Sequence, residues 1–322
     1  MKTNRPLMMA GICVFAGLLC AMPYAASASD GYAGTTVTGG AGGTAVTVTT
    51  LAQLTQYATA SGKYIITVSG TITLPDNLHV TSNKTIQGAN TSATINGDLF
   101  LGSGSSSGTP TVNVIVQNLN FTNPNGVGDH DGISIKNNAA NIFITHCTFT
   151  DCKDGSLDIT EKSDNVTVSW CRFRYPTIVG HDFVNLVGAS DSQTGDAGKL
   201  HCTFHHNWYD AGCVERMPRV RFGRVHVYNN YYGCAGNNYC VGVGEASQIL
   251  VENNYFDGIT LPWKNYSKTV QGLIHWNTGN VFVNTTIPTW APNSTVFTPP
   301  YSYTLTAGSS VKSTVTASAG NH

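Results

Sequence analysis

A short repeat constrains the fold of this chain more than any other feature. Six segments place an apolar residue five positions before an aromatic one, and a weaker seventh ends at Phe282. The aromatics that close the segments are Phe121, Phe149, Phe173, Tyr209, Tyr232, Phe256 and Phe282. They recur roughly every two dozen positions, with one longer interval between Phe173 and Tyr209, and short strand-like runs fill each interval. A period of this length with several strands is typical of a coil that stacks on itself, so the repeat predicts an all-β parallel β-helix.

Stacked coils lie about 4.8 Å apart, so equivalent residues should form columns along the axis. The aromatics would fill the interior. Asn207, Asn230 and Asn254 lie two positions before their aromatics, where stacked amides can bond along the axis, and Cys147 and Cys171 hold the same place in earlier coils. A propeller would need repeats nearer 40 residues, and a leucine-rich pattern is absent.

Only one helix interrupts the predicted strands. Thr50-Leu51-Ala52-Gln53 forms a capping box, which predicts a short N-terminal helix at about 50–60 that caps one end of the coil. From Tyr64 onward we expect no helix. Abundant Gly, Thr, Val and Asn, with 11% charged residues, favour strands and tight turns. The long interval that ends at Tyr209 predicts a loop within Asp182–Gly198.

The first residues have the pattern of a secretory signal peptide. Lys2 and Arg5 precede an apolar run over 7–22, and Ala26-Ser27-Ala28 suits cleavage. The apolar run is short for a retained membrane span. We therefore predict a signal peptide over 1–28, a single β-helix domain over 29–322, and a secreted, extracellular monomer without a membrane anchor. Loss of two cations would take the formal charge from −1 to −3.

Seven cysteines follow the predicted cleavage site: Cys147, Cys152, Cys171, Cys202, Cys213, Cys234 and Cys240. In an oxidising compartment some should pair, and an odd number leaves at least one unpaired. Cys234 and Cys240 flank a Gly/Asn loop and are the best candidates for a local disulfide. Their spacing does not suit a zinc site.

Several aspartates fall in one sector of the predicted coil. Counted back from the aromatic that closes each coil, Asp131 lies at position eighteen, and Asp154 and Asp158 lie at positions nineteen and fifteen. Asp129 lies two positions before Asp131 and can share its face of the strand. Clustered carboxylates are costly unless a cation neutralises them, and Ca²⁺ accepts flexible carboxylate geometry. The pattern favours a calcium site, with Mg²⁺ and a set of solvated aspartates as alternatives.

An arginine cluster lies in the same sector. Four arginines occur close together, and the first, Arg216, lies sixteen positions before Tyr232; the others are Arg219, Arg221 and Arg224. A solvated strand edge is the alternative. A local basic cluster in a nearly neutral chain indicates an anionic ligand rather than nucleic acid.

These motifs together resemble polysaccharide lyase family 1, the extracellular pectate lyases. The likeness rests on 82–88, 129–133, 158–160 and above all Arg216-Met-Pro-Arg-Val-Arg-Phe-Gly223, and it covers nearly all of 29–322. It implies a right-handed, single-stranded β-helix that cleaves polygalacturonate by calcium-dependent β-elimination and leaves 4,5-unsaturated ends. The resemblance implies calcium ligands at Asp131, Asp154, Asp158 and Asp129, a base at Arg216, and substrate contacts at Arg221 and Arg219.

The chain departs from the family in three places. A substrate-binding lysine is expected near Phe183, where His181 is the nearest basic residue and is our candidate substitute. Asp154 stands where the family often has Glu. A Trp-x-Asp-His segment is reduced to Phe143-Ile-Thr-His146, and we expect His146 to be structural.

Three other functions stay open from the sequence. A calcium-independent pectin lyase acting on methylated polymer should lack the carboxylates. A polygalacturonase needs paired aspartates to activate water, and no such pair is evident. The third alternative is a non-catalytic cell-wall-binding β-helix. An arginine can act as a base only where desolvation and neighbouring cations disfavour its charged form.

Overall fold

The chain winds as a parallel β-helix, which confirms the predicted fold class. The structure is a computed structural model that describes Met1 and residues 30–289 and 293–322. Within these residues, parallel strands form sheets of ten, nine and eight strands. None of the helices in this part of the chain is long and apolar enough to cross a membrane. The predicted signal peptide falls on residues outside those described, apart from Met1.

From Tyr64–Val68 onward, successive strands join the ten-, nine- and eight-stranded sheets in turn. The ten-stranded sheet contains Thr44–Val48, Tyr64–Val68, Lys84–Gly88, Val112–Gln117, Ala140–Thr145, Asp164–Ser169, His201–His205, Arg224–Tyr228, Gln248–Glu252 and Leu273–Trp276. The nine-stranded sheet contains Thr71–Thr73, Thr94–Asn96, Asn120–Asn123, Thr148–Cys152, Arg172–Arg174, Trp208–Tyr209, Tyr231–Tyr232, Tyr255–Asp257 and Val281–Val283. The eight-stranded sheet contains Leu78–His79, Leu99–Leu101, Asp131–Ile135, Gly155–Ile159, Leu186–Val187, Arg219–Val220, Val241–Val243 and Trp263–Asn265.

The aromatic repeat forms a continuous column inside the coil. Successive rings from Phe121 to Phe282 are nearly parallel, with centroids 4.6 to 5.3 Å apart. The rings from Phe121 to Phe256 are fully buried. Because each ring packs on the rings before and after it, the column fixes the register of the coils, as the repeat predicts.

An asparagine ladder runs beside the ring column. The side-chain amides of Asn207, Asn230 and Asn254 donate to the next carbonyl oxygen along the ladder at 3.0, 3.0 and 3.1 Å, and Asn280 continues it. All four are buried. The ladder satisfies backbone groups at the bend as well, since Asn207 Oδ1 accepts from the N–H of Cys171 at 2.9 Å.

The N-terminal helix lies where the capping box places it. Helix α1 spans Leu51–Thr59; Thr50 Oγ1 accepts from the N–H of Gln53 at 3.3 Å, and Gln53 Oε1 accepts from that of Thr49 at 3.0 Å. Leu54 and Ala58 belong to the buried core, so the helix caps one end of it.

The expectation of no helix after Tyr64 is wrong. Helix α2 spans Gly308–Ser318, and a short 3-10 turn lies at Thr194–Asp196; a second 3-10 turn, Gly31–Ala33, precedes Tyr64. Val311 and Val315 of α2 pack on Tyr231 of the nine-stranded sheet. This helix is rich in Ser, Thr and Val, which are modest helix formers, so packing rather than propensity stabilises it.

The segment Asp182–Gly198 contains the predicted loop and, in addition, a short strand. The strand Leu186–Val187 runs through it, and Phe183 makes a parallel bridge with Glu215. The extra residues therefore divide into two loops, one on either side of this strand. Both loops border the eight-stranded sheet.

The predicted Cys234–Cys240 disulfide is not formed. All seven cysteines that follow the predicted cleavage site are free and buried. Cys234 Sγ lies 3.6 Å from Met217 Sδ, and Cys240 Sγ accepts from the Asn237 amide at 3.5 Å. The thiols pack as small apolar side chains of the core, which removes the need for pairing.

The chain without residues 1–28 should therefore release seven reactive thiols on unfolding and almost none when folded. Burial shields every one of these sulfurs, with relative exposures of 2% or less. Titration with a thiol reagent, with and without denaturant, measures both numbers. Five thiols or fewer in non-reducing denaturant would show that a disulfide forms.

The segments around Asp30 and Thr306 contact buried histidines on the outer face of the ten-stranded sheet. Asp30 Oδ1 pairs with His205 Nε2 at 3.0 Å, and His206 Nε2 contacts Thr306 Oγ1 at 3.2 Å. His146 contacts Thr145 Oγ1 at 2.9 Å and stacks on Trp170, which suits a structural role. The His206 ring also stacks on Trp170, with the two ring centroids 4.3 Å apart.

Acid should destabilise the protein through His206. Burial, and then the nearby His205, lowers the pKa of His206 to about 3, although Asp30 opposes this. The unfolded pKa is about 6.5, so this contribution is complete above pH 6.5 and is lost as the pH falls toward 3. Between pH 6 and pH 4 the wild type should lose about 1.4 kcal/mol more per pH unit than His206→Gln. Denaturant unfolding measures this slope; His79→Gln, at an exposed position, should match the wild type. Equal slopes for His206→Gln and wild type would contradict the assignment.

Candidate active site

The predicted site residues gather on the outward surface of the eight-stranded sheet, between strands Asp131–Ile135 and Arg219–Val220. We call this surface the site face. Alternation along the strands sends Ile133, Leu157 and Ile159 into the core, where they are fully buried. The register places four side chains in one row across neighbouring strands: Ser134, Asp158, Leu186 and Arg219.

Two of the predicted calcium ligands converge above Gly155. A Cβ built on this glycine would lie 2.9 Å from Oδ1 of both Asp131 and Asp158. Any larger residue at position 155 would fill that space. Asp131 Oδ1 is buried without a hydrogen-bond partner, while its Oδ2 accepts from Ser134 Oγ at 2.9 Å. The arrangement leaves a carboxylate oxygen free to bind a cation.

The carboxyls of Asp131, which is buried, and Asp158, which is partly buried, have raised pKa values. Burial, followed by the charges of Asp158 and Asp98, raises the pKa of Asp131 well above its usual range. Burial raises the pKa of Asp158 to about 6, although the Leu186 N–H and the Arg216 charge act in the opposite direction. Such carboxylates gain from a bound cation, which would restore their charged forms.

Asp154 and Asp129 make other contacts. Asp154 Oδ1 lies 2.6 Å from His181 Nδ1, and both side chains are substantially exposed. Asp129 Oδ2 pairs with Lys136 Nζ at 2.7 Å. Accordingly, in the part of the chain that the structure describes, no three His, Cys, Asp or Glu side chains are gathered closely enough to hold a metal ion as they stand.

Arg216 lies at a bulge that faces the carboxylates across one intervening strand. The register shifts by one residue between the Phe183–Glu215 bridge and the Leu186–Arg219 pair. Arg216 takes up the extra residue with a left-handed backbone, φ 62°. Strained backbone of this kind is frequent at functional sites. The neighbouring Met217 is buried in the core, so the bulge turns the Arg216 side chain toward the site face.

The other arginines differ in their surroundings. Arg221 Nε donates to Asp191 Oδ1 at 2.5 Å and its Nη1 to the Gly188 carbonyl at 2.8 Å. The Arg219 guanidinium instead lies 4.2 Å from the ring centroid of Tyr266. Burial, then the charges of Arg221 and Arg216, lowers the pKa of Arg219. Arg224 begins a strand of the ten-stranded sheet and is exposed, away from the site face.

Sequence reasoning missed Asp98. This carboxyl is fully buried; its Oδ2 accepts from the N–H of Asp129 at 3.0 Å and lies 3.0 Å from Ser134 Oγ, whose single hydrogen it shares with Asp131. Burial raises its pKa to about 7. A loop follows the strand after Asp98 and adds residues between Asp98 and Phe121. Counting back from the aromatic therefore does not align Asp98 with Asp131. Its position just before the strand Leu99–Leu101 is the signal that could have found it.

Fold and site together define a β-helix with buried carboxylates and arginines on one sheet face. The pectate lyase family profile matches residues 1–322, and the chain belongs to this family. It is 40% identical over 228 residues to a pectate trisaccharide-lyase of Thermotoga maritima, covering 65% of this chain but only 58% of that protein. It is 32% identical over 307 residues to a pectate trisaccharide-lyase of Bacillus licheniformis, covering 88% and 82%.

Solved structures share the fold. A pectate lyase of Bacillus sp. N165, in complex with trigalacturonate, superposes with a TM-score of 0.75 at 27% identity and covers 91% of this chain and 98% of that one. The thermostable pectate lyase PL 47 gives 0.76 at 26% identity, covering 91% and 96%.

Proposed function

We propose that this chain is a calcium-dependent pectate lyase that cleaves polygalacturonate by β-elimination to 4,5-unsaturated oligogalacturonides. The observation that carries the proposal is the convergence of the buried Asp131 carboxylate and the partly buried Asp158 carboxylate above Gly155, with Arg216 at a bulge on the same sheet face. The family supports it, as does the trigalacturonate bound to the Bacillus sp. N165 relative.

The residues on the site face fit calcium. The donors are oxygens, one of them is buried and unpartnered, and the carboxylates carry pKa values that a cation would lower again. Asp131 and Asp158 would hold the ion. Asp154 would become a third ligand after breaking its contact with His181, and Asp129 would be an adjacent ligand. When bound, calcium would draw charge from a substrate carboxylate and make the neighbouring C5 proton more acidic.

Arg216 is the proposed base. Its Nε is buried with no hydrogen-bond partner, so the protein leaves part of the hydrogen-bonding capacity of this side chain unused. Its neutral form would take the C5 proton, and the electron pair left on C5 would expel the 4-O leaving group. Arg219 and Arg221 would bind substrate carboxylates, Arg219 with a buried Nε that lacks a partner and Arg221 with donors beyond those used by Asp191 and Gly188. His181 would contact substrate once Asp154 releases it.

The same features weigh against the alternatives. A pectin lyase working without calcium has no need of buried carboxylates. A wall-binding module has no need of an arginine with an unpartnered Nε beside them. Mass analysis of the chain ends made from polygalacturonate separates the possibilities. Elimination gives fragments one water lighter than hydrolysis does, and an unchanged polymer that stays bound would indicate a binding module.

We also propose that the protein is secreted as a monomer after removal of residues 1–28. The basic start, the apolar run and Ala26-Ser27-Ala28 support this. The intact mass of the protein recovered from the culture medium and its elution volume on a sizing column test cleavage and monomeric state.

A further inference from the structure

We propose that Phe183 is a positioning residue for Arg216, whose guanidinium it holds on the site face by a ring contact instead of a hydrogen bond. This role rests on the proposed function, since it matters only if Arg216 takes part in the reaction.

The Arg216 guanidinium packs against the ring of Phe183. The Arg216 guanidinium carbon lies 4.3 Å from the Phe183 ring centroid, well inside the range of a cation–π interaction. The nearest carboxylate oxygen, Glu215 Oε1, is 3.9 Å from Arg216 Nε, too far for a hydrogen bond. Glu215 is itself occupied, since it accepts from Asn238 at 2.7 Å and from the Tyr239 hydroxyl at 3.3 Å.

Phe183 is anchored on several sides. Its backbone forms the parallel bridge with Glu215, next to the bulge. Its carbonyl accepts from the Tyr175 hydroxyl at 2.5 Å, and that hydroxyl lies 2.9 Å from Ser156 Oγ. The His181 ring stacks on it, with centroids 4.7 Å apart and planes 21° apart. Because these contacts hold the Phe183 ring in place, the ring restricts the position of the Arg216 guanidinium that packs on it.

Arg221, in the same chain, is held by hydrogen bonds and a carboxylate instead of a ring. Its guanidinium is held by the Asp191 carboxylate and by a carbonyl, and it is 8% exposed. A carboxylate partner strongly favours the charged form of a guanidinium. A ring orients the group with a weaker preference for charge and leaves its N–H groups unused, which suits a residue that must take up a proton.

Removal of the ring should lower kcat by a larger factor than it raises KM, because the ring orients Arg216 and also supports His181. Phe183→Leu, which keeps an apolar side chain, should reduce kcat on polygalacturonate about tenfold, the loss typical of a modest misplacement of a catalytic group. Phe183→Met should behave alike and serves if the leucine variant folds poorly. Phe183→Tyr, which keeps the ring, should retain kcat within about threefold. Thermal unfolding of each variant shows whether the fold persists.

A matched control lies outside the site. On the nine-stranded sheet, the Arg172 guanidinium carbon lies 4.0 Å from the Trp208 ring centroid. Trp208→Leu therefore removes a ring that packs on an arginine without changing the site face. It should keep the wild-type kcat and KM. Unchanged kcat in folded Phe183→Leu and Phe183→Met, a change in KM alone, or equal loss in Phe183→Tyr would overturn the positioning role. An inactive wild type would instead overturn the proposed function, and this role with it.

Discussion

Arg216→Lys should reduce kcat on polygalacturonate by about a thousandfold while the fold remains intact, because a general base contributes about 10² to 10⁴ in rate. Lysine keeps the charge but cannot reproduce the planar guanidinium on the Phe183 ring. Its compact ammonium would be drawn toward Glu215 Oε1, which lies 3.9 Å from Arg216 Nε. Initial rates of unsaturated-product formation over a range of polymer concentrations give kcat and KM separately.

The same substitution elsewhere provides the control. Arg224 belongs to the same run of sequence but is exposed on the ten-stranded sheet, so Arg224→Lys should keep the wild-type kcat. Circular dichroism and thermal unfolding should be the same for both variants. If folded Arg216→Lys retains more than about a tenth of the wild-type kcat, Arg216 is not the base.

Asp158→Asn should weaken calcium binding by about a hundredfold, because it removes one charged oxygen ligand from a site with few of them. Asp131→Asn should do the same. The variant has a second, opposite effect that identifies the site. Burial raises the pKa of Asp158 to about 6, so above pH 6 its ionised form destabilises the calcium-free protein. In chelator at pH 8, Asp158→Asn should therefore unfold at a higher temperature than wild type.

Calorimetric titration with calcium and thermal unfolding with and without chelator measure both effects. Asp76→Asn changes an exposed aspartate outside the site face and should alter neither. Wild-type calcium affinity in Asp158→Asn, or a variant less stable than wild type in chelator, would contradict the assignment of this carboxylate.

The interior of the coil could be predicted because it depends on local, repeated physics. The column from Phe121 to Phe282 and the ladder of asparagines need the same residue at the same place in every coil, and a repeat shows this directly. The counts that placed Asp131, Asp158 and Arg216 in one sector worked for the same reason, since no insertion separates them from the aromatic that closes their coil.

The rest depends on contacts that no period encodes. Helix α2 is stabilised by packing on Tyr231, and Asp98 is brought to Asp131 through a shared contact with Ser134 after a loop has changed the count. The partners of the site residues were equally hidden: Asp154 with His181, Asp129 with Lys136, and Arg221 with Asp191. Cys234 and Cys240 are close in sequence, but their thiols pack into the core, which spacing alone could not reveal.

The most direct test of calcium-dependent elimination follows ultraviolet absorbance of unsaturated ends as the chain without residues 1–28 acts on polygalacturonate. We predict that absorbance rises with calcium present, stops rising when a chelator is added, and resumes when calcium is restored in excess. Absorbance that continues to rise in chelator would contradict the calcium role, and new reducing ends without absorbance would contradict elimination itself.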